Sequence, residues 1–201
     1  MSFKCAGLIA KWLIACKAIS DEEYDLYVYA AHSLILTFAP LILAVAVGMV
    51  TGRTMTAVEI IFPFMVIRKF SGGFHAGKPW ICMVFSTVIL CMCISISDNI
   101  TYGYGMFFLT FVAAVLLAVN SPIGSENKML DEEEKRMYKR VTVVLTGLCM
   151  AVGSICYAYG NSDAAKNVSI GIVLAGGLQI PYMFKRIVQK VYYNVVSCRK
   201  N

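Results

Sequence analysis

The segment "RKFSGGFHAGKPWIC", Arg68 to Cys82, contains the residues of this chain best suited to do chemistry, a histidine and a cysteine. A cysteine within reach of a histidine base is the basic arrangement of a thiol nucleophile. Lys78-Pro79-Trp80 predicts a helix start, because the missing N–H of proline costs nothing in a first turn. Cys82 then lies in the opening turn, where unpaired N–H groups and the helix dipole favour a thiolate.

His75 lies seven residues before Cys82, so the segment must fold back for the two side chains to meet. On one continuous helix they would be about 10.5 Å apart along the axis, too far for a hydrogen bond. Gly72 and Gly73 permit the backbone turns that bring the imidazole to the sulfur. Lys78 adds a positive charge near the thiol. The alternative is that the histidine and the cysteine share a polar loop without reacting.

The elements that position this segment are apolar. Of the 201 residues, 59% are hydrophobic and 15% are charged, against about 25% charged in soluble domains. A soluble domain of this length cannot hide several apolar runs of helix-spanning length from water. The sequence therefore predicts an all-α integral membrane protein with a single polytopic domain over residues 1–201.

Six apolar runs predict six transmembrane helices: Leu26–Val50, Met55–Ile67, Trp80–Ile96, Gly103–Val119, Val141–Tyr159 and Val168–Phe184. The second run contains Glu59 and Pro63 and is shorter than the ~17 residues expected of a spanning helix. Charge placement favours counting it. With six spans and both termini in the cytoplasm, the outside loops hold only Arg53 and Lys166, and the other 16 cations face inside, as the positive-inside rule requires.

This topology places residues 68–82, residues 120–140 and the basic tail 185–201 in the cytoplasm. The acidic run Asp131 to Glu134 is explained by the start of the fifth span, since acids are favourable at a helix N-terminus. The N-terminal segment 1–20 predicts an amphipathic interfacial helix, with an ordinary packed helix as the alternative. Its lysines and the absence of a cleavage site argue against a removable signal.

The remaining candidates for chemistry are weaker. Most of the eight cysteines lie in apolar stretches and predict reduced, packed side chains. His32 lies within the first span and suggests a helix contact. Glu59 is an intramembrane ionisable residue and stays a candidate for function, with interfacial placement as the alternative. The sequence has no GxGxxG, P-loop or HExxH motif, so we expect no metal, no cofactor and no nucleic-acid partner.

The segment "RKFSGGFHAGKPWIC", with Arg68, Gly72-Gly73, His75 and Cys82, resembles the signature of the accessory gene regulator B (AgrB) family of membrane cysteine endopeptidases. The loop "NSPIGSENKML" after the fourth span is similar to that family's second segment, a proline-centred turn followed by a Glu-Asn-Lys stretch. Pro122 matches there, whereas Ser121, Gly124 and Met129 depart from the pattern. The resemblance covers the whole chain in length, span count and loop placement.

The resemblance implies that His75 and Cys82 are the catalytic pair, with Arg68 and Gly73 also needed for activity. Supporting or substrate-binding positions are expected among Gly72, Ser71, Lys78, Pro122 and Glu126. The implied reaction removes the C-terminal tail of a short amphipathic pro-peptide through an acyl-thioester and closes a thiolactone or lactone ring, which yields a quorum-sensing signal. The resemblance further implies the cell membrane of a Gram-positive bacterium, with the active site at the cytoplasmic face, membrane lipid as surroundings and a homodimer.

Three questions stay open at this point. Ser71, Asn120 and Glu126 are alternative candidates for the residue that orients His75. Arg68 is expected either to assist the oxyanion or to bind a substrate carboxylate. A small peptide transporter is the alternative function, and a non-catalytic membrane adaptor is a third possibility.

Overall fold

The computed structural model of the chain describes the backbone of residues 2–16, 19–20, 23–71, 79–122 and 131–183, with side chains except at 2–5, 33, 36 and 79–83. The seven long elements of this part are all helices, which confirms the predicted all-α fold. They are α1 (Ser2–Ala15), α2 (Tyr24–Thr51), α3 (Thr54–Ser71), α4 (Pro79–Asn99), α5 (Tyr104–Asn120), α6 (Glu132–Ala158) and α7 (Ser162–Gly177).

The helix bounds test the predicted runs one by one. The bounds of α2, α4 and α5 lie within three residues of the first, third and fourth runs. The second run is part of a longer helix than predicted, because α3 has 18 residues and continues through Arg68 to Ser71. The fifth run is likewise part of a longer helix, since α6 begins at Glu132. The extra residues of both helices are mostly polar, so hydropathy alone did not include them.

The last predicted run differs from the others, because its helix starts earlier and a turn interrupts it. The helix begins at Ser162, six residues before the predicted Val168, because the Asn161 side chain caps it by accepting a hydrogen bond from the Ala164 N–H at 3.1 Å. It ends at Gly177, and residues 178–179 form a turn before a short helical stretch at 180–183. Its start was missed because polar residues are tolerated where a helix packs against protein.

Short turns make successive helices antiparallel. Gly52 ends α2 in the left-handed region at φ 68°, and its N–H and that of Arg53 return to carbonyls of the last turn of α2. Arg53 then pairs with Asp98 at the end of α4 at 3.2 Å, and the rings of Tyr102 and Tyr157 lie 5.0 Å apart. The turns at 52–53, 100–103 and 159–161 therefore share one end of the bundle, which we call the short-turn end.

The opposite end is the basic end. There the ring of Phe70 at the end of α3 lies 6.1 Å from that of Tyr138 near the start of α6. Gln179, just after α7, donates a hydrogen bond to Ser121, just after α5. Helices α3 and α6 bring the following cations to this end: Arg68, Lys69, Lys135, Arg136, Lys139 and Arg140. The two cations of the short-turn end, Arg53 and Lys166, are each paired with an aspartate.

Helix α7 lies at the centre of the bundle, packed against α3, α4, α5 and α6. Nine of its 16 residues are buried, and they are mostly small. A side chain at Gly171 would collide with the Ile60 carbonyl oxygen and with the ring of Pro63 on α3. A side chain at Gly176 would press on Ala113 of α5. Small residues thus allow the close backbone approach that is typical of helix contacts in membranes.

The outer surface of the bundle is apolar. Exposed large side chains cover α2, α4, α5 and α6, among them Phe38, Phe85, Met92, Phe108 and Val144. Two helices, Tyr24–Thr51 and Glu132–Ala158, are long and apolar enough to cross a membrane by length and composition. Shorter apolar helical segments are Val84–Asn99 and Tyr104–Asn120. A continuous apolar exterior of this kind is unusual for a soluble monomer.

Helix α1 packs on α2 through small residues. Ala6 and Ala10 are fully buried, and Gly7 lies close to the hydroxyl of Tyr24. Leu8 and Trp12 are exposed, as is Lys11 on the same helix. The helix therefore has one face against the bundle and an exposed face that carries both apolar and basic side chains. Its placement at a membrane interface stays a prediction.

Candidate active site

Only part of the predicted catalytic segment belongs to the described residues. Gly72, Gly73, His75 and Lys78 lie outside them, as does Glu126 of the second loop. The backbone of Cys82 is described and lies in helix α4, but its side chain is not. The structure therefore does not measure the distance between the His75 imidazole and the Cys82 sulfur, and the catalytic pair stays a prediction.

Helix α4 begins at Pro79, as the Lys78-Pro79-Trp80 sequence predicted. Cys82 is the fourth residue of this helix and lies in its first turn. The N–H groups of a first turn have no partner within the helix, and they lie at the positive end of its dipole. The start of α4 therefore offers backbone N–H donors and a positive dipole end, which favour an anionic group placed beside it.

The residues that lead into the catalytic segment are held by the last turn of α3. Arg68 is half-buried, and its guanidinium carbon lies 5.9 Å from the centre of the Phe64 ring, within the range of a cation–π contact. Ser71, the last residue of α3, is fully buried. The segment 72–78 therefore starts from a fixed point in the bundle.

Three buried polar residues end α3 or follow α5 and α7 at the basic end, and we call them the polar layer: Ser71, Ser121 and Gln179. Each follows by four residues a member of one apolar cluster, which includes Ile67, Leu117 and Ala175. Four residues of helix advance by about 6 Å, so the polar layer covers this cluster on the side where α3, α5 and α7 end. It lies next to the start of the predicted catalytic segment.

Gln179 is the central residue of the polar layer. Its Nε2 donates to Ser121 Oγ at 3.1 Å, whereas its Oε1 is buried and has no hydrogen-bond partner among the residues that the structure describes. A buried carbonyl oxygen without a donor costs about 1–3 kcal/mol, so this oxygen calls for an explanation. Sequence reasoning missed Gln179, because it lies inside the last predicted span, where a single amide carries no motif.

The second loop is described only at its edges. Asn120 ends α5, and its Nδ2 donates to the Leu116 carbonyl at 2.8 Å, so this amide is used within its own helix. Pro122 follows Ser121 and is half-buried. At the other edge, Asp131 and Glu134 form a reciprocal capping box at the start of α6. This confirms that the acidic run marks a helix start.

Glu59 belongs to the opposite end of the bundle. Asn167 Nδ2 on α7 donates to Glu59 Oε2 on α3 at 2.7 Å, and Ser97 Oγ on α4 donates to Asn167 Oδ1. Asn167 and Ser97 are buried. Glu59 is therefore hydrogen-bonded to α7, and Asn167 links α3, α4 and α7. The partner residue Asn167 was missed because it lies just before the last predicted run, Val168–Phe184.

The described cysteines provide no second site. Cys16, Cys91, Cys93, Cys149 and Cys156 are free thiols. Within the described ranges, no group of three or more His, Cys, Asp or Glu side chains is arranged to hold a metal ion. His32 is half-buried on α2, in the first predicted span.

Comparison with known proteins identifies the family. The sequence profile of accessory gene regulator B (AgrB) matches residues 5–181. A Clostridium perfringens strain 13 protein, named only as AgrB-like protein 2, is 26% identical over 178 residues, which are 80% of this chain and 83% of the relative. An AgrB-like protein of C. perfringens strain SM101 is 25% identical over 180 residues, 81% and 84% of the two chains.

A more distant relative comes from another genus. An AgrB-like protein of Listeria monocytogenes strain HCC23 is 24% identical over 139 residues, 66% of this chain and 68% of the relative. No solved structure matches the chain. The chain belongs to the accessory gene regulator B family, which is membrane-associated and is linked to peptide processing in the agr quorum-sensing system.

Proposed function

We propose that this protein is a multi-pass membrane cysteine endopeptidase that removes the C-terminal tail of a short pro-peptide and promotes its cyclisation for quorum sensing. The observation that carries the proposal is the position of Cys82 in the first turn of α4, in a chain that belongs to the AgrB family. The proposal also covers the membrane topology, the reaction and the residues that support the predicted catalytic segment.

The proposed topology has α2 to α7 as six membrane-crossing helices, with the basic end in the cytoplasm. The alternation of the described turns between two ends supports it, as do the six cations that α3 and α6 bring to one end. The positions of exposed tyrosines also support this placement of the bundle across the membrane. Tyr29 lies near the basic end, and Tyr104 and Tyr159 lie at the short-turn end, where membrane proteins carry belts of aromatic residues.

The proposed reaction has two steps. His75 accepts the Cys82 proton, and the thiolate attacks one peptide carbonyl of the substrate. The scissile C–N bond breaks, the proton passes from His75 to the leaving amine, and the remaining acyl group stays on Cys82 as a thioester. A thiol or hydroxyl of the bound peptide then attacks the thioester carbonyl. The ring closes and the Cys82 thiol is released.

The geometry of the basic end suits this chemistry. First-turn N–H groups of α4 are available donors for the oxyanion of each step. Ring closure must be faster than hydrolysis, which requires a site that holds the peptide nucleophile close and limits water. The polar layer and the apolar cluster beneath it support such a site, because they fix the ends of three helices around the start of the catalytic segment.

The test is processing of a co-expressed pro-peptide by single variants. We expect Cys82→Ala and His75→Ala each to abolish release of the C-terminal tail, with membrane insertion unchanged. Cys91→Ala is a matched control, since Cys91 lies on the same helix, exposed and remote from its first turn. Normal processing by Cys82→Ala would refute the proposal. Trapping the acyl group on Cys82 in the absence of an internal peptide nucleophile would support it directly.

Peptide transport is separated from peptide processing by the same variants. Reconstituted protein that moves the peptide across a vesicle membrane at the same rate with and without Cys82 would favour a transporter. A membrane adaptor would show no effect of either substitution on the peptide. The homodimer that the family resemblance implies is tested independently, by the mass of the purified protein in detergent.

A further inference from the structure

Near its N-terminus, helix α6 carries a shallow, open stretch of surface on its outward flank, which we call the groove. The groove is lined, among the described residues, by Arg136, Lys139, Arg140, Val143 and Val144. The first three are cations and the two valines form the apolar end. All five side chains are exposed. The side of α6 that faces the bundle is different, since Thr142, Thr146 and Gly153 are the buried residues of this helix. The groove is therefore open to the surroundings of the bundle.

The cations of the groove are available for an external anion. In the described part of the chain, no carboxylate is ion-paired with Arg136, Lys139 or Arg140. By contrast, Lys135 on the same helix is paired with Glu132 at 2.7 Å. The acids of α6 lie in its first turn, where they cap the helix, so the next two turns present unbalanced positive charge.

The length of α6 gives the depth of the groove in a bilayer. Residues 141–158 form the apolar part of the helix, and 18 residues of helix extend about 27 Å, close to the ~30 Å of a hydrocarbon core. The three cations precede this part and thus lie at the level of the lipid headgroups. Val143 and Val144 lie just beyond them, at the level of the first acyl carbons.

We propose that this groove binds the headgroup of an anionic phospholipid. The phosphate contacts Arg136, Lys139 and Arg140, and the upper acyl chain packs along Val143 and Val144. Cations followed by apolar residues along the helix axis match the anionic headgroup and the acyl chain of a lipid. A soluble acidic peptide would match the cations but would leave the exposed valines without an apolar partner. The positive-inside rule alone explains why cations lie at this end of the bundle. It does not explain why three of them share one face of α6 next to exposed valines.

Native mass spectrometry of the full chain released from mixed nanodiscs tests the proposal, with phosphatidylglycerol as the probe and phosphatidylcholine as the neutral competitor. We expect wild-type protein to retain phosphatidylglycerol preferentially. Each surface cation contributes about fivefold to anionic-lipid affinity, so Arg136→Gln/Arg140→Gln should lower retention by up to about 25-fold. Arg136→Lys/Arg140→Lys should keep most of it.

The matched control is Lys69→Gln/Lys135→Gln, which removes the same net charge from the same end but leaves the groove intact. An equal loss of phosphatidylglycerol in both double variants would overturn the proposal, because charge alone would then explain binding. So would retention that persists in Arg136→Gln/Arg140→Gln.

Two measurements on wild-type protein keep the proposal testable if a variant does not insert. Retention of phosphatidylglycerol should fall as salt rises, because the contacts are electrostatic and near the surface; a salt-independent preference would contradict it. A ten-residue polyglutamate peptide should not displace the lipid. Displacement by that peptide would assign the groove to an acidic protein segment and overturn the proposal.

Discussion

Replacement of Gln179 by leucine tests whether the polar layer is kept for function rather than stability. Leucine has nearly the volume of glutamine, so the substitution leaves little cavity. It removes the hydrogen bond to Ser121, which is worth about 0.6–1.7 kcal/mol between membrane helices. It also removes the buried Oε1, which has no partner within the described part of the chain and whose desolvation costs about 1–3 kcal/mol. Loss of the hydrogen bond lowers the free energy of unfolding, whereas loss of the unpartnered oxygen raises it.

We therefore expect Gln179→Leu to leave the free energy of unfolding within about 1 kcal/mol of wild type or to raise it. Gln179→Ala should be less stable than Gln179→Leu by about 2 kcal/mol, because it adds a cavity. Denaturation with sodium dodecyl sulfate in mixed micelles, followed by helical circular dichroism, measures both. Thr146→Val is the matched control, since Thr146 Oγ1 on α6 is also buried without a partner in the described ranges but does not belong to the polar layer.

Pro-peptide processing by the same proteins completes the test. Gln179→Leu should process less peptide per folded molecule, whereas Thr146→Val should be as active as wild type. If Gln179→Leu lowers the free energy of unfolding by more than about 2 kcal/mol, the amide stabilises the bundle and the reasoning is refuted. Full activity of a stable Gln179→Leu protein would equally remove Gln179 from the candidate site.

The remaining predictions concern helix packing away from the catalytic segment. Gly171→Ala should lower the free energy of unfolding by about 1–3 kcal/mol, because a Cβ there collides with the Ile60 carbonyl; Gly147→Ala, whose Cβ meets nothing within 4 Å, should change it little, and thermal unfolding in detergent compares the two. Asn167→Ala should lower the free energy of unfolding by about 2–4 kcal/mol, because it breaks two interhelical hydrogen bonds and leaves buried polar atoms unpaired. Glu59→Gln should lower it less, since the new amide oxygen still accepts a hydrogen bond from Asn167. Equal losses for the paired variants in either comparison would contradict the contacts described here.

Much of the fold follows from the sequence because the physics is local. Apolar runs longer than a few turns must be helices where water is absent, since each backbone N–H and C=O then needs a partner within the segment. The short turns after α2 and α6 contain Gly52 and Gly160 with positive φ, a conformation that glycine adopts without steric cost. The start of α4 at Pro79 followed from one residue. These features needed no knowledge of which helix neighbours which.

Helix α7 shows where this reasoning ends. Its buried small and polar residues lower its hydropathy, so its bounds were shifted, and its central position was not predictable. Whether an asparagine faces lipid, water or another helix depends on contacts with residues far along the chain, such as Asn167 with Glu59, 108 positions away. Single-sequence patterns hold no information on such pairs.

The sequence by itself determined the chemistry that this protein has available: a histidine and a cysteine, glycines between them, and a helix start that favours a thiolate. It also determined the helical class, because hydropathy and backbone hydrogen bonding act within each segment. Only the tertiary structure decided what lies around the end of α3, where the predicted catalytic segment begins. It brought Ser71, Ser121 and Gln179 into one buried layer and placed α7 at the centre, because close packing selects which side chains meet, and that selection depends on the shapes of all the helices together.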